Sequence, residues 1–68
     1  MMADLQPHQQ RVVTEREELA DKLSKLSAFI VGSVFASLPD AEQERLRRQA
    51  QIMDAYVNVL DERIAAFG

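Results

Sequence analysis

Sixty-eight residues with no cysteine allow one small domain, and they remove both a disulfide framework and a thiolate metal site as ways of stapling it. Eight basic residues against eleven acidic ones, a net charge of −3, argue against a broad nucleic-acid surface and leave room only for a local basic patch. The start, MMADLQPHQQ, lacks the basic opening and apolar run of a signal peptide. The longest uncharged stretch, Leu26–Pro39, would cover only about 20 Å as a helix, short of the ~30 Å core of a bilayer. A soluble chain located in the cytoplasm is therefore expected.

Residues before Pro7 read as a frayed terminus. Pro7 suits the first turn of a helix, where its missing N–H costs nothing. Helix one is expected over about residues 7–31. Its seam is Val12, Leu19, Leu23, Leu26 and Ile30, with Arg16 standing in the stripe between Val12 and Leu19. The outward positions hold Glu17, Glu18, Asp21 and Lys25, and the i,i+4 pairs Glu18–Lys22 and Asp21–Lys25 run in the favourable order.

The connection is expected over about residues 32–38. Gly32 is either a left-handed C-cap or a weak point in a helix carried on to about Leu38. Pro39 forces the reversal by disfavouring helix at the residue before it. Val34, Phe35 and Leu38 are expected to fold over the closed end as an apolar plug. Helix two is expected over about residues 39–67, with Asp40 and Gln43 in capping-box spacing and Glu42 and Glu44 complementing the helix dipole. Leu46, Ala50, Met53, Val57, Leu60, Ile64 and Phe67 alternate steps of four and three residues without a slip, the most regular pattern in the chain.

The fold class that follows is all-α: a two-helix antiparallel hairpin, one domain, assembling into a homo-oligomeric helical bundle. Self-association is expected because two facing helices cannot cover every apolar residue. Val13, Phe29, Ile52, Tyr56 and Val59 lie off the seam, and Ile52, Tyr56 and Val59 form a second stripe at i, i+4, i+7. These five residues are the expected oligomer interface. A dimer forming a four-helix bundle is the simplest closure, and a larger closed ring also satisfies the pattern.

No acid, base and nucleophile converge in the pattern, so no catalytic residue and no cofactor is expected and the chain is read as a non-enzyme. The single histidine, His8, has valine at i+4, and Glu15, Glu17, Glu18 and Asp21 face several directions around the helix, so no metal site is expected. Among Arg45, Arg47 and Arg48, the expected pairs are Arg45 with Glu42 and Arg48 with Glu44, leaving Arg47 solvated. Arg16 is the informative residue, because a guanidinium that interrupts an apolar stripe is costly unless paired. One reading is a register-fixing salt bridge to Asp61 or Glu62. The other is a polar pocket between subunits in which Arg16, Lys22, Tyr56 and Arg63 clasp an anionic or phosphate-bearing ligand.

The strings HQQRVVTEREELADKLSKLSAFI, SLPDAEQERL and QAQIMDAYVNVLDERIAAF resemble a family of very small proteins encoded by tailed phages and prophages, related to a crAss-like phage open reading frame. The likeness covers residues 8–67, with Arg11-Val12, Leu26-Ser27-Ala28-Phe29-Ile30, Leu38-Pro39, Glu42-Gln43, Gln51, Met53, Tyr56, Leu60 and Arg63-Ile64 as its recurring elements. It implies a phage accessory protein acting in the infected bacterial cytoplasm. Small helical oligomers of this kind include proteins that neutralise bacterial defences, some by sequestering cyclic-nucleotide signals between subunits and others by binding a host protein. The expected function is accordingly counter-defence sequestration of a cyclic nucleotide, and the alternative is a module that docks a host or phage protein. No motif of the resemblance assigns a ligand to particular positions, so the four pocket residues rest on geometry.

Overall fold

A computed structural model describes residues 5–67. Three helices follow one another: α1 Pro7–Ile30, α2 Ser33–Ala36 and α3 Asp40–Ala65, with no strand among the described residues. The two long helices pack on each other, and Arg16 in the first half of α1 meets Asp61 near the end of α3, so the chain turns back on itself. The molecule is a rod of 48 × 15 × 14 Å, too thin for any helix to be covered all round.

The seam residues carry the packing. Val12, Val57 and Leu60 are buried, Leu60 completely, and every other seam residue of both helices is half-buried. The alternating steps of four and three keep these side chains on one line over the whole of α3, which is why the contact extends along both helices rather than crossing at one point. Pro7 stands at the first position of α1, and the Gln9 side chain accepts the Gln6 N–H at 2.9 Å. At the other end of the chain the helix stops at Ala65, two residues before the expected limit. Ala66 N–H reaches Glu62 O at 3.1 Å and Phe67 N–H reaches Ile64 O at 3.1 Å, a tightening of the last turn.

The connection departs from the sequence reading in three ways. Gly32 is neither a left-handed cap nor part of a continuing helix: it has φ −92° and ψ 168° and precedes the separate short helix α2. Its N–H donates to Phe29 O at 3.0 Å, and a Cβ there would lie 3.3 Å from that same carbonyl, so the close approach of the chain to the end of α1 is what favours glycine. Second, Asp40 and Gln43 form no capping box. Pro39 occupies the N-cap position, Asp40 is already helical, and the Gln43 amide instead donates back to Leu38 O at 2.9 Å and Ala36 O at 3.3 Å. Third, the expected plug is Phe35, buried, with Leu38 half-buried beside it, while Val34 points outward. A single turn of helix presents only one of two adjacent apolar side chains to the core.

Candidate functional site

Arg16 sits at the edge of the α1 seam, one turn beyond buried Val12, and its guanidinium lies against α3. Arg16 Nε donates to Asp61 Oδ1 at 2.7 Å and Nη2 donates to Asp61 Oδ2 at 3.3 Å. This two-point contact fixes the plane of the guanidinium as well as its position. The hydrogen bond and then the charge of Asp61 raise the Arg16 pKa above its ordinary value, and the hydrogen bond from Arg16 holds the Asp61 carboxyl below its own. Both side chains keep a solvent-facing part. The salt-bridge reading of Arg16 is therefore realised with Asp61 rather than Glu62, and it leaves guanidinium hydrogens free for a second acceptor.

The other three proposed ligand contacts lie elsewhere around the helices. At about 100° per residue, Tyr56 and Arg63 fall within about 20° of each other on α3 but roughly 140–160° from Asp61. On α1, Lys22 stands about 120° from Arg16, across the seam. Because Arg16 and Asp61 bond to each other they share one flank of the molecule, and Lys22, Tyr56 and Arg63 share the opposite one. A single copy thus brings Lys22, Tyr56 and Arg63 to one flank and keeps Arg16 on the other.

The flank of Tyr56 is also the apolar one. Ile52 is 63% exposed, Val59 50%, Tyr56 42% and Phe29 39%, so the second stripe on α3 is uncovered within the chain and Phe29 extends it from α1. Val13, the remaining expected interface residue, is half-buried and belongs to the flank of Arg16. Lys22 and Arg63 make no ion pair among the described residues, and the expected Glu18–Lys22 pair is not formed, whereas Lys25–Asp21 is, at 2.9 Å.

A second cationic–aromatic group lies at the closed end. Phe29 and Phe35 meet edge to face with ring centroids 6.2 Å apart, and the Arg47 guanidinium carbon stands 5.0 Å from the centre of the Phe35 ring. Arg47 is exposed, as the i,i+4 pattern implied, and its guanidinium in addition has an aromatic partner. Its partner comes from the short helix α2, which sequence spacing alone did not reveal. Arg45 pairs with Glu42 at 2.9 Å as expected, and no Glu44–Arg48 pair forms among the described residues. His8 is exposed, and among the described residues no group of His, Cys, Asp or Glu is placed to hold a metal ion.

These features describe a small helical protein with one guanidinium clamped across its two long helices, two cationic side chains without an ion pair among the described residues, and an uncovered apolar flank. Comparison with known proteins makes the assignment specific. The chain belongs to the Sequestin family, which it matches over residues 6–66, and the family's name denotes sequestration, a binding rather than a catalytic role. It is also 37% identical over 60 residues to the uncharacterized 7.5 kDa protein of the denB-rIIB intergenic region of Enterobacteria phage T4, an alignment covering 88% of this chain and 94% of that one. The resemblance to small phage proteins is met at this level. No solved structure matches the chain. No helix among the described residues is long and apolar enough to cross a membrane.

Proposed function

We propose that this protein is a non-enzymatic phage protein that acts by binding, and that it sequesters a cyclic-nucleotide signal of bacterial immunity in the host cytoplasm. Its unit is an antiparallel helical hairpin that pairs with copies of itself through Phe29, Ile52, Tyr56 and Val59, with Val13 contributing from the other flank. The observation that carries the reading is the separation of the charged groups. Arg16 stands opposite Lys22, Tyr56 and Arg63, so one pocket containing all four requires two copies, and the uncovered apolar flank offers the surface on which a second copy would sit. In that pocket guanidinium and ammonium groups meet the phosphates and the Tyr56 ring stacks on a base. The family name supports sequestration as the mode of action.

Calorimetry against a panel of cyclic di- and trinucleotides tests the proposal. Binding to at least one member is expected, with clear loss in Arg16→Ala and in Arg63→Ala. No heat with any member, or unchanged affinity in both variants, overturns it. The exposure of Ile52 and Val59 also favours a second reading, in which this stripe docks the helix of a host or phage protein. A stoichiometric protein partner retained from bacterial lysate by the wild type, and lost in Ile52→Ser, would favour that reading.

A further inference from the structure

Arg16 has been read either as the partner of Asp61 or as a ligand contact, and the geometry of the pair makes these two roles compatible. A guanidinium carries five N–H donors in a planar fork. Asp61 uses one on Nε and one on Nη2, at 2.7 and 3.3 Å, which is one side edge of the fork. The end edge, formed by Nη1 and the second hydrogen of Nη2, has no acceptor among the described residues. That edge has the width for two oxygens of one phosphate. A free arginine side chain samples many rotamers and gives up that freedom on binding, whereas one already clamped at Nε has little left to lose.

We propose that Asp61 is a positioning residue of the anion site: it holds the Arg16 guanidinium so that its open edge is presented to a phosphate. This assignment rests on the sequestration reading above. It carries a consequence that runs against simple electrostatics. Removing a negative charge close to an anion site ordinarily strengthens anion binding. Here removal of the Asp61 carboxylate weakens it, because the loss of orientation outweighs the relief of repulsion.

The test compares wild type, Asp61→Asn, Asp61→Ala and the exchanged double variant Arg16→Asp with Asp61→Arg, by calorimetry with the same cyclic di- and trinucleotides at low salt. Melting temperature and light scattering are measured on each protein. Asp61→Ala is expected to lose about tenfold in affinity while keeping the wild-type particle mass, with Asp61→Asn losing less because its amide oxygen still accepts from Arg16. The exchanged pair restores the salt bridge between the helices, so it is expected to recover the melting temperature but not the affinity. Nucleotide affinity equal to or above wild type in Asp61→Ala, or recovery of affinity along with melting temperature in the exchanged pair, overturns the positioning role and leaves sequestration standing. A wild type that binds no member of the panel overturns sequestration, and this assignment with it.

Discussion

At the closed end of the molecule, the chain supplies its own partners. Phe35 is buried, Phe29 meets it edge-on, Arg47 lies over its face, and Gln43 donates to two carbonyls of the connection. A few turns further along α3, on the flank away from Asp61, Ile52, Tyr56 and Val59 have no such cover. Both regions present aromatic and aliphatic side chains, so residue type does not separate them. What separates them is the short helix α2, which lies close enough to the start of α3 to cover it and too far away to reach the middle. The finished end holds the fold, and the unfinished flank is the surface on which the proposed second copy would sit.

The comparison is broken most directly at the finished end. Phe35→Ala is expected to cost about 3–5 kcal/mol, as for other buried aromatics, and that is of the order of the whole stability of so small a domain. Loss of helical circular dichroism at 25 °C would be the readout, and a cooperative melt close to wild type would mean that Phe35 is not the keystone of the closed end. Leu60→Ala, at a completely buried side chain, is expected to cost about 2–5 kcal/mol in urea unfolding. Its effect should be at the lower limit if the seam collapses around the missing atoms.

On the unfinished flank the expectation reverses. Ile52→Ser with Val59→Ser removes exposed side chains, so helix content should be unchanged. The particle mass by light scattering should fall to that of one 7.7 kDa chain, and the melting temperature should lose its dependence on protein concentration. An unchanged mass would show that the flank is not the surface of self-association. The smallest expected effect is on pH dependence. Because Arg16 holds the folded-state pKa of Asp61 below its unfolded value, the contribution of Asp61 is present above the ordinary carboxylate pKa of about 4 and is lost as pH falls through the lower folded value. Asp61→Asn should therefore flatten the acid limb of the stability curve and leave the limb above neutrality as it is. Arg16, whose already high pKa is raised further by Asp61, contributes no change between pH 5 and 9.

Much of this was legible in the residue pattern. The unslipping stripe from Leu46 to Phe67, the leftover stripe of Ile52, Tyr56 and Val59, and the break at Pro39 require only helical periodicity and the geometry of proline. The level at which Arg16 meets α3 also followed, because counting residues back from the turn places Asp61 opposite it. The conformation of the connection was less accessible. Gly32 signalled a helix end, but the same residue serves a left-handed cap and a close backbone approach, and only the neighbouring Phe29 carbonyl distinguishes them. Gln43 stood at capping-box spacing from Asp40, and its actual acceptors, Ala36 O and Leu38 O, came within reach only after α2 had formed.

The sequence by itself determined two long amphipathic helices, where they break, and which side chains they cannot cover between them, because periodicity is a property of the chain taken alone. Tertiary structure decided which of two neighbouring residues turned inward in α2, that Arg47 would lie over Phe35, and that Arg16 would be clamped by Asp61 on the flank opposite Tyr56 and Arg63. Those outcomes depend on distances between segments far apart in the chain. Such distances are set only when the seam has closed and fixed the rotation of one helix against the other.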